Sequence, residues 1–477
     1  MKKFCILLFA FCFCSYANAQ NTFERWYDTL GVQGANCVQE TFDGGYVVSG
    51  VRWDNINMNN DAAIMKLDSL GNIIWVKTYG GPGNDGANHM EQTPDSGYIV
   101  YGAYDGGLNT QGWLLRLDAN GDTIWTQLLS LGPQKIEPSR MCVDTGGHAL
   151  TGYYQKPVGP IRAYLTKTTN TGSIVWSQFD YGNMPSVGYC VQPTLDSGYI
   201  ITGEANIGMP VGDDVFLIKT NSIGDTLWTK KIGGAQRDIG NFAIPTSDSG
   251  YAIVGMTFYS QIASFVTYII KTNAVGDTLW TRTYCDSVGS GGNCIKQTKN
   301  GGFVITGTIA VAPNNYGDLF IIKTDGLGNL IWIKKYGGAM PDGGLFVSET
   351  KDGGFIITGL TSSFGSGPGY KTYLIKTDSS GNVYYTGISA PSELHKNLLV
   401  YPNPSNGIFN LKMDNYNSSI TFEIYNLIGN KIYSNSPTKS GTTHHAVINI
   451  ASQPAGIYVL RVLTPLCIYS QKIIVQH

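Results

Sequence analysis

Few residues in this chain are equipped for chemistry. Its six histidines, His89, His148, His395, His444, His445 and His477, include no H-E-x-x-H pair, and none stands beside cysteines at zinc spacing. No G-x-S-x-G elbow, P-loop or dinucleotide fingerprint occurs. Neither a catalytic triad, a metal nor a cofactor is therefore expected. What remains is a set of charged side chains in irregular segments: Asp85 in "GGPGND", Arg237 and Asp238 in "GGAQRD", and Asp342 in "GGAMPD". These four are the ligand-binding candidates. Asp85 with Asp238 or Asp342 would also be the carboxylate pair of a glycan-cleaving enzyme.

The other polar candidates read as structure. Asp68, Asp118, Asp325 and Asp378 open D-x-x-G turns and are expected to cap them. His148 replaces an aromatic residue found at the same place elsewhere, and His444 and His445 fall in a polar stretch expected to be a solvated loop. Of nine cysteines, three lie before residue 15. Cys37, Cys142, Cys190 and Cys294 are expected at equivalent places, as small buried apolar residues. Cys285 and Cys294 flank "DSVGSGGN" and form the local pair able to close a disulfide.

The elements that must position these residues follow from a repeat. "DGGYVVSG" at Asp43 returns as "DSGYIVYG", "TGGHALTG", "DSGYIITG", "DSGYAIVG", "NGGFVITG" and "DGGFIITG", with start-to-start steps of 52, 50, 51, 52, 52 and 52. Trp75, Trp125, Trp176, Trp228, Trp280 and Trp332 keep the same beat. So does a basic residue closing an apolar run: Lys66, Arg116, Lys167, Lys219, Lys271, Lys323 and Lys376. Each unit holds four short runs rich in Val, Ile, Tyr and Trp, bounded by Gly, Asp and Asn, which is a strand-and-turn pattern. With 60 glycines, 12% aromatic and 14% charged residues, the composition agrees with an all-β protein. Four antiparallel strands cannot bury both faces alone, so seven such sheets are expected to pack face to face as a seven-bladed β-propeller over residues 20–388.

An eighth outer-strand copy, "FERWYDTLG", precedes the first unit. It is expected to complete the last blade with Trp26 in the tryptophan place, and "NVYYTGIS" is the competing closing strand. The spacing D-x-x-G-x-x-x-W resembles the tryptophan-docking motif of quinoprotein-type propellers, with the glycine displaced by one residue. That resemblance implies blade packing and no quinone. The connections that vary in length and composition are expected on one face, where Asp85, Arg237, Asp238 and Asp342 would line the central mouth.

Both ends carry addresses. "MKKFCILLFAFCFCSYANAQ" has a basic start, an apolar run and an A-x-A site, so a signal peptide over residues 1–19, cleaved between Ala19 and Gln20, is expected. After a linker at 389–397, alternating apolar residues between "YPNPSNG", "NLIGN" and "QPAG" predict six or seven strands in a small Ig-like β-sandwich over 398–477. "YPNPSNGIF", "EIYNLIGNKIY", "AGIYVLRV" and "QKIIV" closely resemble the type A C-terminal sorting domain of the Bacteroidetes type IX secretion system. The resemblance implies export to the periplasm, recognition by the type IX translocon and its sortase, and release or anchoring at the cell surface, with lipopolysaccharide as the anchor. A net charge of −2 argues against nucleic acid as a partner. The expected function is binding or adhesion, with a glycan or protein ligand. A polysaccharide hydrolase or lyase on the same scaffold is the alternative.

Overall fold

The computed structural model describes residues 21–476 except 29–31, 55–57, 107–109, 130–134, 157, 180, 182–184, 206–211, 285–288, 312–315, 366–368, 385–397, 414–419, 427–429, 441–442 and 464–467. The expected signal peptide, its Ala19–Gln20 site, Cys285 and the 389–397 linker lie outside the described residues. The chain divides into two compact units, Met1–Asn382 and Val383–His477.

The first unit is a seven-bladed β-propeller. In blade one, Gly34–Glu40, Tyr46–Asp54, Asn59–Leu67 and Ile73–Tyr79 lie side by side in chain order, each antiparallel to the next. Blades two to six repeat this over residues 86–129, 135–179, 186–232, 238–284 and 290–336. Blade seven is built from Asp342–Glu349, Phe355–Thr361 and Lys371–Thr377, and takes Phe23–Tyr27 as its outer strand. The inner strands of successive blades adjoin one another, and that of blade seven meets that of blade one.

Apolar faces explain the ring. The second and third strands of each blade are almost wholly buried, as in Tyr199–Ala205 and Asp214–Thr220. Each outer-strand tryptophan then reaches across to the next blade. Trp75 packs on Gly121, where φ is +82° and an added Cβ would lie 2.8 Å from the indole. Trp125 on Gly172, Trp176 on Gly224, Trp228 on Gly276, Trp280 on Gly328 and Trp332 on Gly381 repeat the contact. Tyr79, four residues after its tryptophan, donates its hydroxyl to the Gly121 carbonyl at 2.6 Å.

At the closure the pairing corrects one expectation. Trp75 stands opposite Lys66, and the residue opposite the equivalent Lys376 is Phe23, three residues before Trp26. Phe23 meets Tyr46 edge-on at 5.7 Å, as Trp75 meets Tyr98 at 6.1 Å, and Tyr27 donates to the Gly71 carbonyl as Tyr79 does to Gly121. "FERWY" is therefore in register with "WVKTY", and Trp26 instead stacks on Phe364 at 4.9 Å.

Basic residues and turn aspartates have structural partners. Lys66, Lys219, Lys271 and Lys376 pair with Asp43, Asp196, Asp248 and Asp352 of the octapeptide hairpins at 2.8–2.9 Å. Asp68 caps its turn, accepting from the amides of Leu70 and Asn72 at 2.9 and 2.8 Å. His148 is buried with its Nδ1 3.1 Å from the Thr168 hydroxyl.

The second unit contains two four-stranded sheets. One orders Leu398–Tyr401, Ile408–Met413, Thr443–Asn449 and Thr438–Ser440; the other orders Lys431–Asn435, Thr421–Tyr425, Gly456–Leu463 and Ile468–Val475. Alternating side chains such as Phe409, Leu411, Phe422, Ile424, Leu460 and Ile473 form its core. Among the described residues eight strands thus stand where six or seven were expected. His444 is corrected with them: it lies on Thr443–Asn449 and is buried, while His445 points outward on the opposite face.

Candidate functional site

The site begins with a defect repeated in every blade. Each inner strand carries one residue more than its partner, so the register skips Asn36, Asn88, Ser139, Tyr189, Asn241 and Asn293 in blades one to six. In blade seven it skips Leu345. Such a bulge pushes the extra residue out of the ladder and bends the strand locally. It also thrusts a backbone carbonyl toward the second strand, at the final glycine of the octapeptide. A Cβ on Gly50 would overlap the carbonyl oxygen of Gly34, on Gly255 that of Ile239, and on Gly307 that of Gly291. The repeat therefore ends on glycine because only a residue without a side chain leaves room for the bulge.

The bulged residues together line an axial cavity of about 360 Å³. They lie near the starts of the inner strands, on the side of the crossover connections. The asparagine orientations are fixed by chemistry, since a backbone carbonyl accepts only from the amide nitrogen. Nδ2 of Asn36 donates to the Ala87 carbonyl at 3.2 Å and that of Asn88 to Pro138 at 2.6 Å. Asn241 donates to Gly292 at 2.8 Å and Asn293 to Gly344 at 2.7 Å. Each bond ties one blade to the next. Oδ1 of Asn36, Asn88 and Asn241 is then left as an acceptor without a donor among the described residues. Tyr189 adds a hydroxyl that donates to Glu204 at 3.1 Å, and Leu345 adds the one apolar wall.

The next residue of each inner strand forms the floor. Arg140, which also lines the cavity, sits over the rings of Phe242 and Phe346 at 4.9 and 5.4 Å. Lys296, one layer further along the axis, lies 5.2 Å from the same two rings. Beside Phe346 stands His89, whose imidazole burial, then the charges of Arg140 and Lys296, hold well below its ordinary pKa. Cys37, Cys190 and Cys294 complete this layer as free, buried thiols. Cys142 is free and buried too, but stands two residues past Arg140 on its strand, in the position of Lys296 and Gln39, so it is not equivalent to Cys37, Cys190 and Cys294 as expected. Cys294 donates to the Val347 carbonyl, and Cys285, its expected disulfide partner, lies outside the described residues.

The four candidates from the sequence are placed on the crossover connections. Asp85, Asp238 and Asp342 are buried, and each folds back on the glycine pair of its own loop. Asp85 accepts from the Gly81 and Asp105 amides at 2.6 and 2.7 Å, and Asp238 from Gly234 at 3.0 Å. Asp342 accepts from Gly338 at 2.8 Å and from the Ser363 hydroxyl at 2.6 Å. Each meets a second aspartate locally: Asp61 and Asp85 flank Gly80, Asp214 and Asp238 flank Gly233, and Asp318 and Asp342 flank Gly337. Burial, and next the charge of Asp342, push the Asp318 carboxyl up to about 6. Arg237 bonds Glu204 at 2.8 Å and Asp213 at 2.8 Å, and through Glu204 it reaches Tyr189 in the cavity wall.

The cavity residues themselves were overlooked in the sequence, although a signal exists. In "GANC", "GANH", "GNF" and "GGNC" an asparagine recurs with steps of 52, 153 and 52, in phase with the octapeptide.

Residues 399–476 match the family described as the secretion system C-terminal sorting domain. This tail is a type IX sorting domain, which indicates secretion through the periplasm to the cell surface or outer membrane. None of the curated proteins compared with the chain matches it. Among solved structures, the β-propeller domain of the Trilobed protease from Pyrococcus furiosus is 11% identical, covering 77% of this chain and 99% of its own, with a TM-score of 0.43. A Dyadobacter fermentans protein of unknown function is 9% identical, with coverages of 75% and 99% and a TM-score of 0.41. BBS1N, solved in complex with ARL6DN, is 12% identical over 77% and 98%, with a TM-score of 0.39. These likenesses concern the fold alone.

Proposed function

We propose that this exported propeller is a binding protein that receives a polar ligand, such as the end of a glycan, in its axial cavity. The observation that carries the reading is the wall of asparagine amides. Their nitrogens are committed to neighbouring blades and their oxygens are left for hydroxyl donors, inside a space near the lower end of the ~300–1,000 Å³ typical of ligand pockets. Hydrolysis of a glycan is the weaker reading, because Asp85, Asp238 and Asp342 spend their carboxylates on loop amides. We assign these three, with Arg237, to shaping the rim around the mouth. The sorting tail engages the type IX machinery; the translocon, the sortase and surface lipopolysaccharide are its proposed contacts.

Leu345→Trp tests the reading, since it fills the cavity without removing a hydrogen bond. Wild-type protein should give specific signals on a glycan array with no cleavage of the bound glycans. L345W should lose those signals while melting within a few degrees of wild type. A hairpin variant such as Phe42→Trp should keep them. Full binding by L345W would overturn an axial site.

A further inference from the structure

The floor of the cavity holds more positive charge than its surroundings neutralise. Arg140 has neither an ion pair nor a hydrogen bond among the described residues, and its Nη1 is buried without an acceptor. Lys296 shares the same two phenylalanine faces. Two cations stacked on one aromatic pair repel each other, and the π faces offset only part of that cost. Glu91 is a carboxyl that feels the charge of Lys296, yet burial pushes it up to about 7 in spite of that charge and a hydrogen bond from the Val143 amide. It is thus partly neutral near pH 7 and a poor counter-ion. His89 adds no charge. An orphaned guanidinium donor is costly to leave dry, and its planar fork matches a carboxylate.

Resting on the binding reading above, we propose that the axial cavity takes a polyhydroxylated carboxylate, the chemistry of a uronic acid, with its carboxylate on Arg140 and its hydroxyls on the Oδ1 atoms of Asn36, Asn88 and Asn241. The two halves of the site select for the two halves of such a ligand. Acceptor oxygens around the wall need hydroxyl donors, and the floor needs an anion. The phenylalanine pair holds the guanidinium in one plane before the ligand arrives.

Calorimetric titration of the mature full-length protein with galacturonate, galactose and inorganic phosphate tests this. Galacturonate is expected to bind at least tenfold more tightly than galactose, and the difference should shrink in 0.5 M NaCl. Arg140→Met should abolish the difference. Arg140→Lys keeps the charge but loses the fork, and should fall between the two, so the result does not hang on one variant folding. Equal affinity for galactose and galacturonate, both lost in L345W, would overturn the anion site and leave the binding site standing. Phosphate binding as tightly as galacturonate would replace the sugar acid with a simple anion and overturn the ligand class. Glycan-array signals that persist in L345W, with no sugar titrating, would remove the axial site altogether.

Discussion

Gly255 shows how a single residue type reaches from the repeat to the site. An added methyl group there would occupy the space of the Ile239 carbonyl oxygen, so the inner strand of blade five must move. Moving it displaces Asn241, which bridges to blade six. Gly255→Ala is accordingly expected to destabilise the propeller by about 1–3 kcal/mol, the range for overpacking a rigid interior with backbone shifts. A glycine in a hairpin tip with open space around it, such as Gly353, should cost less when replaced, although its φ of +81° still penalises a side chain. Paired denaturant titrations would compare them, and an equal or smaller loss for G255A would show that the bulge does not need the glycine. The spacing of these glycines was plain in the sequence, while their purpose was not. A bulge is a mismatch between two strands, and neither strand's composition announces it. For the same reason the sequence shows the charges of Asp85, Arg237, Asp238 and Asp342 in their loops but hides their partners, which are loop amides for the aspartates and Glu204 and Asp213 for the arginine.

At the scale of the element, the hairpin clamp between a lysine and an aspartate recurs often enough to make its exception informative. Burial raises the Asp43 carboxyl, but hydrogen bonds from Thr41, Lys66 and the Gly45 amide, with the charge of Lys66, bring it down to about 2; Asp248 with Lys271 behaves alike. In blade six Asn300 takes the aspartate's place, and Lys323 lies over Phe355 at 5.4 Å instead. Asn300→Asp should restore the pair. Asp43, Asp196 and Asp248 are more than half exposed, as Asp43 is at 60%, so the gain is expected to be only about 0.5–1 kcal/mol at pH 7. The sign with pH follows from the lowered carboxyl. The folded pKa lies below the unfolded one near ~3.9, so the stabilisation is complete above about pH 4 and disappears as pH falls through about 2. Melting wild type and N300D at pH 7 and pH 2.5 checks this, and a gain undiminished at the lower pH would mean that the carboxylate is not its source. Strands and hairpins were legible, because alternation and turn residues are local; the basic residues kept the beat, but their aspartate partners appear only in the structure. The layer that Cys142 occupies was not legible, because it is counted from the bulge at Ser139, which leaves no mark in the composition of the strand.

The molecule as a whole depends on how a ring built from copies of one unit is closed. Six blades are continuous in sequence, and the seventh borrows Phe23–Tyr27, so the first and last parts of the unit are held together by one strand pairing. The sequence made the need for an eighth outer strand apparent, but a bare tryptophan match misplaced its register by three residues. The hydroxyl of Tyr27 on Gly71 and the pairing of Phe23 with Lys376 define it instead. Phe23, buried against blade one, should therefore matter more than the larger Trp26, which is half-buried against Phe364. Phe23→Ala is expected to cost about 3–4 kcal/mol, as for a buried aromatic side chain, and Trp26→Ala less than half of that. Scanning calorimetry of both variants discriminates the registers, because a larger loss for W26A would place the indole in the docking position. A closure held by packing at Phe23 also bears on the cavity. The axial wall is assembled from all seven inner strands, so loosening the seam between blades seven and one should weaken ligand binding before the protein unfolds.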